Sequence, residues 1–89
     1  MKRKRVAFVG KDGDPHCAVA ADFLRQHSTD PLICFGKRGD PLPPALETWH
    51  GDLLISYLSP WIIPAAILER AENAALNFHP APPQYPGIG

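Results

Sequence analysis

An open α/β fold built on a mostly parallel sheet is what this sequence predicts, and three observations carry that prediction. Four short apolar runs recur along the chain, each bounded on at least one side by Gly, Pro, Asp, Asn or Ser. Between the first two, and again before the last, apolar residues fall at helical rather than alternating spacing. The runs themselves are mostly apolar without strict alternation, as strands are when crossover helices bury both their faces.

Residues 6–9, Val-Ala-Phe-Val, are the first predicted strand, closed by Gly10. The turn that follows ends at Asp14, a candidate N-cap, and Pro15 suits the first turn of a helix. Cys17, Ala18, Ala21, Phe23 and Leu24 give that helix an apolar face to about His27. Residues 32–35 are the second strand. Residues 36–44 form a Gly/Pro-rich connection, followed by one helical turn near 45–49. Gly51 and Asp52 read as a turn, and residues 53–58 as the third strand. Ser59-Pro60-Trp61 is a loop. Pro64 starts a helix over 65 to about 71, with Arg70 in its last turn. Residues 74–78 are the fourth strand, and extended loop follows from Pro80. The order β-α-β-β-α-β predicts a Rossmann-like, mostly parallel sheet, with right-handed crossovers placing helices on both faces.

Composition narrows the function classes. The chain has 89 residues, 45% hydrophobic and 20% charged, which is one small domain and too apolar for a disordered segment. Its formal net charge is +0, which argues against nucleic-acid binding by a basic surface. The charge is uneven: Lys2, Arg3, Lys4 and Arg5 supply four of the 9 basic residues. Two cysteines, Cys17 and Cys34, cannot build a disulfide framework and read as reduced thiols of a cytoplasmic protein. The apolar run after the basic start is too short for a signal peptide. The longest apolar stretch, residues 53–68, is interrupted by Pro60 and Pro64 and falls short of the roughly 20 residues of a membrane span.

Three groups of residues could carry chemistry. Gly10-x-x-Gly13 follows a strand and precedes a helix, but Asp12 and Pro15 break the dinucleotide fingerprint. A phosphate could meet the helix N-terminus and Lys11 there, or the segment is an ordinary turn. His16, Cys17, His27 and His50 lack the spacing of a metal site, and no metal is expected. Asn77 and His79 sit at i and i+2 at the end of the fourth strand, so they share a face while Phe78 turns to the opposite layer. The amide can donate to a developing oxyanion, and the imidazole can move a proton at neutral pH. The same pair could equally be polar residues closing a strand at the surface. After it, Pro80-Ala-Pro-Pro-Gln-Tyr-Pro-Gly either walls a small-molecule site or presents PxxP turns to a partner's aromatic groove.

Asn77-Phe-His79-Pro80-Ala-Pro-Pro83-Gln-Tyr85-Pro86-Gly87 resembles the signature of the folate-dependent formyltransferases: Asn-x-His, a proline-bearing loop, then an aromatic and a glycine. That family includes the glycinamide ribonucleotide, methionyl-tRNA and sugar N-formyltransferases. Residues 53–64, Leu-Leu-Ile-Ser-Tyr-Leu-Ser-Pro-Trp-Ile-Ile-Pro, resemble its third strand and folate loop. Residues 6–10 resemble its first strand and acceptor-side turn. Two departures stand out. The loop from His79 to Gly87 is one residue shorter than the usual pattern, and Pro82-Pro83 replaces the usual Leu-Leu.

The resemblance implies formyl transfer from 10-formyltetrahydrofolate to a small-molecule acceptor amine, such as a nucleotide sugar or other amino compound. Asn77 and His79 would be catalytic, and Leu58, Trp61, Ile62 and Ile63 would enclose the pterin. The family's orienting Asp is expected beyond Gly89. Residues 1–89 are therefore read as the N-terminal part of a catalytic domain, incomplete and inactive alone, with a strand edge open to self-association. The competing reading is a small α/β binding module presenting its Pro-rich segment to a protein partner. Folate binding separates the two.

Overall fold

The computed structural model describes residues 4–78. Four strands form one sheet: β1 (Val6–Lys11), β2 (Leu32–Gly36), β3 (Gly51–Tyr57) and β4 (Ala71–Phe78). Their order across the sheet is β2-β1-β3-β4, and every neighbouring pair is parallel. Helices α1 (Pro15–His27), α2 (Pro44–Glu47) and α3 (Ala65–Leu68) make the connections. This is the Rossmann-like α/β arrangement. Strand order reverses between β1 and β3, so the topological switch point lies at their C-terminal ends.

β1 is central, and Val6, Ala7, Phe8 and Val9 are at most 2% exposed. Its side chains divide by parity between two cores. Phe8 joins Cys17 and Ala21 of α1, with Ala20, Leu24, Ile33, Ile55 and Tyr57 packed around them. Ala7 and Val9 join Leu46, Trp49, Leu54 and Ile67 on the other face, with Cys34, Trp61 and Ile63 against that cluster. Helices therefore lie on both faces, α1 on one and α2 and α3 on the other.

The structure moves three boundaries. The buried stripe of α1 is Cys17, Ala20, Ala21 and Leu24, at i, i+3, i+4 and i+7. Ala18 and Phe23 are exposed, and Phe23 stacks on His27 at 4.2 Å between ring centroids. Gly51 and Asp52 belong to β3 rather than to a turn: Gly51 pairs with Ala71, and the Asp52 amide donates to Arg5 O at 2.8 Å. Asp52 also accepts from the Arg5 amide at 2.7 Å through its carboxylate. Helix α3 stops at Leu68, and β4 starts at Ala71 rather than at residue 74. The Arg70 carbonyl accepts from the Gly51 amide at 3.1 Å, so the chain has already entered the sheet there. The Arg70 side chain donates to Glu47 O and ties α2 to the start of β4. Ladder pairing outweighs the weak helix preference of the Ala-Glu-Asn-Ala-Ala segment.

No helix among the described residues is long and apolar enough to cross a membrane.

Candidate functional site

Strand parity builds the site. In β3, Leu54 and Ser56 face the α2/α3 side, and their partners on β4 are Ala75 and Asn77. Val9 pairs with Ser56 on one side and with Cys34 on the other. A row Cys34–Val9–Ser56–Asn77 therefore crosses the C-terminal part of this face, apolar at its β2 end and polar at its β4 end.

The chain leaving β3 covers the polar end. Leu58 takes a left-handed conformation, φ 51°, and its amide donates to Phe78 O at 3.1 Å. A non-glycine residue is uncommon there and marks a sharp change of direction. The next turn is held by Ser59, whose hydroxyl oxygen accepts from the Trp61 amide at 3.0 Å. Trp61 then folds back over β2. Its Nε1 donates to Asp40 O at 3.0 Å, and its ring lies directly on Gly36, where any Cβ would collide with it. A glycine is required at 36 for that close approach.

Beneath this loop lies a cavity of about 390 Å³, lined by Leu54, Ser56, Ser59, Trp61, Ile62, Ile63, Leu68, Ala75, Leu76 and Asn77. It is mostly apolar with a few polar groups and carries no charged side chain, the usual make-up of a small-molecule pocket. It sits one strand beyond the switch point. The switch point itself is filled from below, because the Cys17 thiol donates to Tyr57 O at 3.4 Å and lies beneath Gly10.

Of the residues singled out by sequence, Asn77, Trp61, Ile62 and Ile63 come together around this cavity. Ile62 is 96% exposed and forms its open lip, while Ile63 also packs into the core. Leu58 is not among the lining residues; β3 ends at Tyr57, one residue short of the expected 53–58, and Leu58 turns the chain away from it. His79 and the Pro-rich segment lie outside the described residues, as do the basic residues Lys2 and Arg3. Phe78 faces the α1 side and packs on Tyr57 at 5.8 Å between ring centroids, as its parity predicts. Ser56 also lines the cavity and is not among the residues singled out by sequence. Its signal is a hydroxyl beside Leu54 on the core-facing side of the strand, within the run Leu53-Leu54-Ile55.

The Gly10 turn does not hold out an anion site. The Asp14 carboxylate caps α1, accepting from the Cys17 amide at 2.9 Å. That bond holds its carboxyl below the usual carboxylate range. Lys37 stands 3.8 Å from Asp12. The helix N-terminus thus already faces a negative charge of its own chain. Burial pushes both the Cys17 and the Cys34 thiol up from their ordinary value. Among the described residues, no group of three or more His, Cys, Asp or Glu side chains could hold a metal ion.

No family model, curated protein or solved structure matches this chain.

Proposed function

We propose that the chain carries the donor side of an N-formyltransferase site, which takes a formyl group from 10-formyltetrahydrofolate for transfer to a small-molecule amine. The observation that carries this reading is the placing of Asn77 at the polar end of an apolar, Trp61-walled cavity at the C-terminal end of a parallel sheet. A flat ring fits such a space, with Trp61 and Ile63 against it and Ile62 at the mouth. The donor supplies the activated formyl carbon. Asn77 donates from its side-chain amide to the formyl oxygen as negative charge grows there. His79, two residues on, takes the proton released by the attacking amine and returns it to N10 of the folate as the bond between the formyl carbon and N10 breaks, leaving tetrahydrofolate and the N-formylated amine.

The test is donor binding, then turnover. Titrating the Trp49→Phe protein with 5-formyltetrahydrofolate, a stable formyl-bearing folate, leaves Trp61 as the reporter and should change its fluorescence. An unchanged signal up to millimolar folate rejects the reading. In the protein expressed from its full reading frame, Asn77→Ala should lower turnover about 10²–10³-fold, the usual effect of losing one oxyanion donor. His79→Ala should also lower it strongly. The two losses should fall well short of additive, because both groups serve one reacting centre.

A further inference from the structure

The cavity holds two polar side chains not committed to any partner among the described residues, Ser56 and Asn77. Its third polar side chain, Ser59, is already used by its own turn with Trp61. Ser56 and Asn77 are register partners on adjacent parallel strands and point to the same face. Neighbouring strands run about 4.8 Å apart, and a hydrogen bond to oxygen spans about 2.8–2.9 Å. Two hydrogen bonds laid end to end are longer than the strand spacing. A single oxygen atom seated between the strands can therefore be reached by both side chains at once, with the two donors converging on it.

We propose that the Ser56 hydroxyl is the second donor to the oxygen atom that Asn77 holds. The proposal rests on the formyl-transfer reading and adds to it a residue and a geometry. Ser56 is half-buried at the cavity floor beside the buried Val9, and Asn77 is exposed at the strand end. The two donors thus approach the oxygen from the closed and the open side of the pocket. A hydroxyl can turn its hydrogen toward whichever oxygen is present, and no carboxylate lines the cavity to repel charge on it. Nothing else on this part of the floor can donate: Leu54 and Ala75, two pairs earlier in the ladder and on the same face, are apolar.

Two ligands separate the inference from the reading beneath it: 10-formyl-5,8-dideazafolate, a stable folate analogue that carries its formyl oxygen on N10 as the donor does, and tetrahydrofolate, which carries no formyl group. The full chain, its Ser56→Ala variant and its Ser56→Thr variant are titrated with each, and melting temperature is recorded for all three. Loss of one hydrogen bond should weaken formyl-folate binding about three- to tenfold in Ser56→Ala. Tetrahydrofolate affinity should not move, and Ser56→Thr, which keeps the hydroxyl, should restore formyl-folate binding. Equal binding of the formyl folate by the parent chain and Ser56→Ala overturns the role of Ser56 and leaves the formyl-transfer reading standing. So does a loss shared by both ligands, which would mark a change of cavity shape. If the parent chain binds neither folate, the reading fails and the inference falls with it.

Discussion

On one face of the sheet a 13-residue helix, α1, lies against β1; on the other, two one-turn helices and a proline-bearing loop cover the same strand. The α1 side is closed near β1 by small residues, Cys17 and Ala21, against Phe8. Towards β4 it opens into an apolar groove of about 610 Å³ whose polar content is one imidazole, His16, and the Tyr57 hydroxyl. The opposite side is packed by large residues, Leu46, Trp49 and Ile67, and its irregular covering leaves a cavity that reaches the polar ends of β3 and β4. A long helix buries a regular stripe and leaves little to recognise. Short helices joined by loops bury less regularly, and the space they leave can be lined with chosen groups. The candidate chemistry accordingly sits on the irregular face.

The comparison breaks first at the core. Phe8→Ala removes a ring that is 1% exposed and should cost about 3–5 kcal/mol in urea denaturation. Formyl-folate affinity in the remaining folded protein should be unchanged, because Phe8 faces α1. A change in affinity without loss of stability would show that the two faces are not separate.

Next comes the contact that shapes the cavity. Gly36→Ala drives a methyl group into the Trp61 ring, which is also tied to Asp40. It should cost about 1–3 kcal/mol and shift Trp61 emission. Trp61→Ala should lower both stability and donor affinity, since the ring covers Gly36 and lines the cavity. Loss of stability alone would make Trp61 a core residue and empty the pocket assignment of its main wall.

The thiols mark burial on each side, Cys17 under α1 and Cys34 under the α2/α3 covering. Both have raised folded-state values, caused first by desolvation. Their neutral forms therefore stabilise the fold below the unfolded thiol value near 8.5, and that contribution is lost as pH rises through the folded value. Iodoacetamide at pH 8 should modify both slowly in native protein and quickly in urea. Fast native labelling of Cys34 alone would show the irregular face to be the looser one.

The smallest effect belongs to the cap of α1. The folded-state value of Asp14 is lowered, so its contribution is present above the ordinary carboxylate value and fades as pH falls through the folded one. Asp14→Asn should keep the cap and remove that part of the acid dependence, read as a flatter plot of unfolding midpoint against pH. An unchanged plot would assign the acid sensitivity to other carboxylates.

The legibility of the fold followed the same division. The strand runs, the Asp14 cap and the start of α1 at Pro15 could be read locally, because each depends on neighbours in sequence. The rotation of the α1 stripe toward Ala20, and the early start of β4, could not. Both are settled by partners far along the chain: Ile55 and Tyr57 for α1, Gly51 for Ala71. At the candidate cavity, Asn77 stands out by its spacing at the end of a strand, and Trp61 through the resemblance of residues 53–64 to a folate loop. Ser56 does not, because its meaning comes from the register that sets it beside Asn77, and register between parallel strands depends on tertiary packing.

The strand order carries a consequence for how the chain is made. β1 emerges first and yet lies inside the sheet, with β2 beside it on one side and β3 on the other. Helix α1 and β2 follow at once and cover half of it. The other edge stays bare until residues 51–57 have been synthesised. During that interval the run that ends up most fully buried in the fold, residues 6–9, exposes unpaired amides and carbonyls beside Ala7 and Val9. A chain that has paired β2 with β1 but has not yet added β3 therefore leaves one edge of β1 bare. Lys4 and Arg5, set immediately before that segment, put like charges on the neighbouring copies that would otherwise pair with it.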